Sequence, residues 1–119
     1  MYKLVINGRF SAAHYLQEYP GACARVHGHN WRVTVTVAAP DVDDKGMVVD
    51  LVALKQHIDA CVGQFDHRVI NEVPPFDTLN PTSENLAKYL FEYVASRVSV
   101  RVVSVEVAET DDYAVIYEA

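Results

Sequence analysis

One stretch of this chain admits little choice of structure. Between residues 29 and 39, Trp31, Val33, Val35 and Val37 fall on one parity, and Asn30, Arg32, Thr34 and Thr36 on the other. Successive side chains of a strand point to opposite faces, so this period of two specifies a strand with one apolar and one polar face. Such a strand belongs in an antiparallel sheet, one side covered and the other in water. The rest of the chain must supply neighbouring strands and a cover.

It has the material for both. Residues 2–14 read as a first strand, with Leu4, Ile6 and Phe10 in partial alternation. Asp41 to Gly46 is a charged turn, followed by a short extended piece, Met47-Val48-Val49. Asp50 is placed to cap a helix beginning at Leu51, whose Leu51, Leu54, Ile58, Cys61 and Phe65 form one apolar stripe with His57 off it, at the surface. Residues 66–81 read as a loop. Pro81-Thr82-Ser83-Glu84 opens a second helix, capped by Thr82 or Ser83, with Leu86, Leu90, Tyr93, Val94 and Val98 as its buried face. Two last strands, 101–109 and 113–118, are joined by Thr110-Asp111-Asp112. The order β-β-α-α-β-β describes an α+β fold: a four-stranded antiparallel sheet with two helices on one face, residues 1–119 forming a single domain.

Charge and length exclude some partners. Ten Lys and Arg against 16 Asp and Glu give a net charge of −6, which argues against nucleic acid. No apolar run approaches a membrane span, and the N-terminus lacks the apolar core of a signal peptide, so a cytoplasmic protein with no membrane partner is expected. There Cys23 and Cys61 stay reduced. A core from 119 residues is small and gains from contacts between copies.

The chemistry concentrates in a few side chains. His27 and His29 are two apart, so on a strand both imidazoles leave one face. His14 ends the extended run Phe10-Ser11-Ala12-Ala13, and a neighbouring strand brings it opposite that pair. Three imidazoles on one sheet face make a catalytic-type zinc site, because three protein ligands leave a position open. Cys23 is a fourth ligand that closes the site, a free nucleophile or base beside it, or a small buried hydrophobe. Cys61 lies in the helix stripe and reads as core. Asp66-His67 is an acid–base pair only if irregular backbone lets adjacent side chains meet; otherwise the two are ordinary loop residues. Glu109 shares the parity of Val103, Val105 and Val107, which aims its carboxylate toward the apolar side at a strand end, unless it is merely solvated there.

In order and spacing, several segments together carry a resemblance. They are Phe10-Ser11-Ala12-Ala13-His14, Cys23-x-x-x-His27-Gly28-His29, Val49-Asp50-Leu51 with Leu54-Lys55, Phe65-Asp66-His67 with Ile70-Asn71, Asn80-Pro81-Thr82-Ser83-Glu84, and Glu109-Thr110. The chain resembles the 6-pyruvoyltetrahydropterin synthase family over nearly its whole length, most closely the bacterial 6-carboxy-5,6,7,8-tetrahydropterin synthase branch. The resemblance implies the tunnelling fold (T-fold), in which three subunits close a barrel and two trimers stack into a hexamer. It makes His14, His27 and His29 the zinc ligands and Cys23 a catalytic cysteine that is not a ligand. Asp66 and His67 become acid–base partners supplied by a neighbouring subunit, and Glu109 the carboxylate that anchors the pterin. One carboxylate can accept the planar pair of donors on a pterin edge side by side.

The implied reaction is a zinc-dependent lyase step. It converts 7,8-dihydroneopterin triphosphate to 6-carboxy-5,6,7,8-tetrahydropterin, releasing acetaldehyde and triphosphate, in queuosine biosynthesis. Two alternatives stand beside it: a 6-pyruvoyltetrahydropterin synthase of the biopterin pathway, and a non-catalytic zinc-stabilised oligomer that binds pterin, with Cys23 as fourth ligand. Arg68 and Asp111-Asp112 lie near the inferred site without a family counterpart.

Overall fold

The computed structural model describes residues 1–119. Its elements are β1 (Tyr2–His14), β2 (His27–Ala39), α1 (Leu51–Gly63), α2 (Ser83–Ala95), β3 (Arg101–Ala108) and β4 (Val115–Glu118). The strands form one antiparallel sheet in the order β1-β2-β3-β4, and both helices cover one face of it. The expected architecture is present.

Register follows from the alternating pattern. Ile6 lies opposite Val35, Phe10 opposite Trp31 and His14 opposite His27. These residues belong to the covered face, where Trp31, Val35 and Val37 are fully buried. β2 begins at His27 rather than 29, so both histidines continue the parity of Trp31 and the valines. Lys3, Asn7, Arg9, Arg32 and Thr34 share the opposite parity, which is not covered by a helix.

The helices form where expected and differ in detail. Asp50 Oδ1 accepts the Val52 and Ala53 N–H groups at 2.9 and 3.3 Å, capping α1. α1 buries Leu54, Ile58, Cys61 and Val62, while Leu51 is exposed at the first turn and Phe65 is buried just beyond the last. Thr82, not Ser83, caps α2, its hydroxyl accepting the Asn85 N–H at 3.1 Å. Ala87 and Phe91 widen the buried face of α2, and Phe91 meets Tyr117 of β4 edge-on. At Gly8 the helix layer comes close: a Cβ there would stand 3.0 Å from side-chain atoms of both Ile58 and Val33.

Three boundaries depart from expectation. Met47-Val48-Val49 forms no strand. β4 starts at Val115, leaving Tyr113 exposed. The β2–β3 register shifts between Thr36 and Val37, so Val102, Val105 and Val107 are buried and Val103 is not. An extra residue at a bulge inverts the parity on one side of it, which strict alternation cannot register. The 66–81 segment is also more than a loop. It contains a turn of 3-10 helix at Ile70–Glu72, and its Ile70 and Phe76 are fully buried.

Candidate functional site

The site lies where β1 ends and β2 begins. Because His14 faces His27 across the ladder and His29 follows two residues on, the register alone gathers three imidazoles. Their ring centroids are 4.6, 4.9 and 5.4 Å apart, and one ligand nitrogen from each falls within 4.8 Å of the others. The group can hold a metal ion.

The orientation of the rings is fixed from behind. His14 Nδ1 donates to the Pro81 carbonyl at 2.8 Å, and His27 Nδ1 to the Arg25 carbonyl at 2.7 Å. Each bond places the proton on Nδ1 and leaves Nε2 as the free lone pair. Trp31, fully buried, meets His14 and His29 edge-on at 4.9 and 5.4 Å and donates Nε1–H to the Ala12 carbonyl at 3.1 Å. Asn71 holds Tyr15, the residue after His14, by both backbone groups.

The electrostatics suit a cation. Burial pushes the His14 and His29 imidazoles below their ordinary range, which favours the neutral form that ligates. Their Nε2 atoms are buried without a hydrogen-bond partner. Orphaned buried nitrogens are costly in an apolar site and are resolved by a metal. The donor set of three imidazoles fits zinc.

Glu109, just beyond β3, turns to this side as its parity predicts. Its Oε2 stands 3.5 Å from His14 Nε2 and 3.4 Å from His29 Nε2. Cys23 sits in a turn of 3-10 helix, Ala22–Ala24, half-buried, and its carbonyl accepts the Leu16 N–H at 2.7 Å. Its sulfur does not join the nitrogen group that meets within 4.8 Å. Cys61 is buried in the core, where loss of solvent pushes its thiol up to about 12.

Asp66 and His67 do form a pair. Asp66 Oδ2 lies 3.0 Å from His67 Nδ1, and positive φ of 58° at His67 supplies the irregular backbone that adjacent side chains need to meet. Asp66 Oδ1 accepts the Ser11 N–H at 2.9 Å; this bond and the His67 contact hold its carboxyl below the usual carboxylate range. The segment docks along the outer edge of β1, and the His67 side chain is 82 % exposed. No hydrogen bond or ion pair joins it to the three histidines of its own chain. An open cavity of about 500 Å³ lies between Ser11, Gly28, Asn30, His67 and Arg68. Asp111 pairs with Arg32 at 2.7 Å.

Sequence reasoning missed the supporting groups. The Pro81 and Arg25 carbonyls carry no residue-type signal. Asn71 carries no role of its own in the Ile70-Asn71 segment, and Trp31 reads from the sequence only as part of the apolar face of β2.

A sheet covered on one face by two helices, with a metal-ready histidine cluster at the strand ends, defines a T-fold enzyme. The family model described as 6-pyruvoyl tetrahydropterin synthase matches residues 3–119. A Synechocystis protein named 6-carboxy-5,6,7,8-tetrahydropterin synthase is 37% identical over 106 residues, covering 85% of this chain and 81% of that one. A Bacillus subtilis protein of the same name is 38% identical over 89 residues, 71% of this chain and 59% of that one. The structure of Caenorhabditis elegans 6-pyruvoyl tetrahydropterin synthase superposes with a TM-score of 0.89 at 31% identity, covering 99% of this chain and 95% of that one. The chain belongs to the 6-pyruvoyl tetrahydropterin synthase family, and it is an enzyme of the lyase class.

Proposed function

We propose that this chain, as one catalytic domain of residues 1–119, is a zinc-dependent lyase. It converts 7,8-dihydroneopterin triphosphate to 6-carboxy-5,6,7,8-tetrahydropterin with release of acetaldehyde and triphosphate, as a cytoplasmic step toward queuosine. The observation that carries this reading is the three-histidine group in a chain 37% identical to a protein of that name. No helix is long and apolar enough to cross a membrane.

His14, His27 and His29 hold the zinc. When bound, zinc polarises the oxygens of the substrate side chain and acidifies the neighbouring C–H bonds. Cys23 is the proton-transfer residue beside the cluster; its thiol is half-buried on a turn and free of disulfide. Asp66 orients His67, which donates and accepts protons at the side chain of the substrate. That imidazole is exposed and anchored to the β1 edge, so it serves the cluster of a second copy. The open edge of β4, the β1 edge before Ser11 and the sheet face bare of helices support assembly into trimers and a hexamer. Glu109 accepts the paired donors of the pterin edge.

A second reading, the pyruvoyl-forming synthase, draws on the 31% identity to the C. elegans enzyme. Both branches share the proton transfers and triphosphate loss, and only the carboxy branch cleaves a carbon–carbon bond. Incubation with 7,8-dihydroneopterin triphosphate, read by mass spectrometry and an acetaldehyde assay, separates them. Acetaldehyde with the carboxylate product supports the first; a diketone without acetaldehyde establishes the second. The non-catalytic reading with Cys23 as fourth ligand is disfavoured by the position of its sulfur outside the group.

A further inference from the structure

We propose that Asn80 is a positioning residue for the proton-transfer thiol: its side-chain oxygen is the tether that holds the Cys23 segment in place beside the histidine cluster. This inference rests on the role given to Cys23 above and names the group through which the fold sets it.

The segment that carries Cys23 has little hold of its own. From Gln17 to Val26 every residue except Cys23 is exposed, and none belongs to the core. Its hydrogen bonds run inward. The Leu16 N–H donates to the Cys23 carbonyl at 2.7 Å, the Ala24 N–H to Gly21 at 3.2 Å and the Arg25 N–H to Ala22 at 3.1 Å. Between Leu16 and Ala24 a single hydrogen bond reaches the rest of the chain: the Gln17 N–H donates to Asn80 Oδ1 at 3.0 Å, across 63 positions of sequence. Leu16 and Gln17 are neighbours, so one amide fastens the Cys23 turn to the root of the segment and the next fastens that root to Asn80.

The far end of the tether is firm. Asn80 precedes a proline, which confines its backbone to extended conformations. Its carbonyl accepts the Thr82 N–H and Asn85 Nδ2, both at 2.9 Å. Pro81 gives its carbonyl to His14 Nδ1, and Thr82 caps α2. Three consecutive residues thus hold the cysteine segment, orient an imidazole of the cluster and start a helix. The thiol and the cluster are referred to one strut, and the exposed loop between them need not be stiff. Only the acceptor of the Asn80 amide serves the tether, since the Gln17 N–H is the donor.

The test compares Asn80→Ala with Asn80→Asp in the full, zinc-loaded chain. Alanine removes the acceptor and keeps the main-chain bonds of residue 80, whereas aspartate keeps an acceptor in the same place. In Asn80→Ala, kcat on 7,8-dihydroneopterin triphosphate should fall by roughly 10-fold, inside the approximately 10²-fold that about 1 Å of misplacement costs. Zinc content and the affinity for the dihydropterin sepiapterin should not change, because main chain holds His14 and the pterin is anchored through Glu109. Asn80→Asp should recover most of the loss, and in a Cys23→Ala background Asn80→Ala should cost nothing further. Thiol reactivity gives a readout that needs no substrate. Cys61 is buried in the core, so a disulfide reagent meets only Cys23 in the folded chain. At fixed pH its rate should rise by about 5-fold in Asn80→Ala, the shift in a local opening that one net hydrogen bond governs, with Cys61 still unreactive. Unchanged rate and kcat would overturn the inference. So would loss of zinc or exposure of Cys61, which would make Asn80 a general support of the fold. Were the unmodified protein to turn over no substrate, the reaction reading would fall, and the thiol rate alone would decide whether Asn80 places the Cys23 turn.

Discussion

Asn71 grips Tyr15 by both of its backbone groups: its Nδ2 donates to the Tyr15 carbonyl at 3.0 Å, and its Oδ1 accepts the Tyr15 N–H at 3.0 Å. The amide imitates one rung of a strand ladder at the point where β1 has ended. Because Tyr15 follows His14, a buried side chain 56 residues away along the chain fixes the exit of the strand from the metal-type cluster.

Replacing Asn71 by Leu should therefore do more than loosen a loop. It leaves one N–H and one C=O unpaired in a partly buried setting, at about 1–3 kcal/mol each. Unfolding in urea should show a loss of about 2–6 kcal/mol. Zinc affinity should fall by roughly 10-fold or more, as for other groups that orient a ligand. Stability lost with zinc affinity unchanged would confine Asn71 to a structural role.

His29→Ala tests the cluster itself. His29 is one of three nitrogens that meet within 4.8 Å. Elemental analysis of the purified variant should show a strong loss from about one zinc per chain. Full retention would remove His29 from the ligand set.

The sheet, the helices and the cluster were legible because each rests on a short-range rule. Alternation set β2, and a capping Asp50 with its apolar stripe set α1. Register then gathered His14, His27 and His29 without any further information. The bulge near Val103 was not legible, since one inserted residue changes parity without changing composition. Nor were the carbonyls of Pro81 and Arg25, which act through position and not through side-chain type. The positive φ at His67 could be required by argument but not foreseen. Glu109 was aimed correctly by parity; what it faces, two histidine nitrogens, needed three dimensions.

Acid should act on the cluster in a defined direction. Burial lowers His14 and His29 below the ordinary 6.5, so in the folded chain both stay neutral below that pH. An unfolded chain takes up those protons at about 6.5. Above it the two states bind the same protons, and stability does not change on this account. As pH falls below 6.5 the unfolded state binds more, and stability is lost until the folded histidines also protonate. The metal-free protein should thus hold a level melting temperature above pH 6.5 and a falling one below it. A melting temperature that rises as pH falls through this range would contradict the assignment of neutral buried imidazoles.

Cys61 provides a control for thiol chemistry. It is fully buried in the α1 stripe, and its thiol, pushed up to about 12, stays protonated at neutral pH. Cys61→Ala should cost about 1 kcal/mol through the small void it leaves. Turnover per folded molecule should remain. A selective loss of turnover at unchanged stability would mean that the roles of the two cysteines are exchanged.

Cys23→Ala is the complementary variant. Cys23 lies on a surface turn, half-buried, and contributes no side-chain contact to the core cluster. Its sulfur stands outside the group that gathers the three histidine nitrogens. Removing it should leave the fold, the melting temperature and the zinc content unchanged. If Cys23 carries a proton to or from the side chain of the substrate, turnover should fall by on the order of 10²–10⁴, the range of general acid–base catalysis. Sepiapterin binding should persist if Glu109, as proposed, anchors the pterin. Three measurements on one variant separate the possibilities. Zinc lost together with turnover would restore the closed four-ligand site, with the thiolate as a structural ligand. Zinc and turnover both retained would return Cys23 to a small residue on a turn, and the proton transfers would then belong to the Asp66–His67 pair alone.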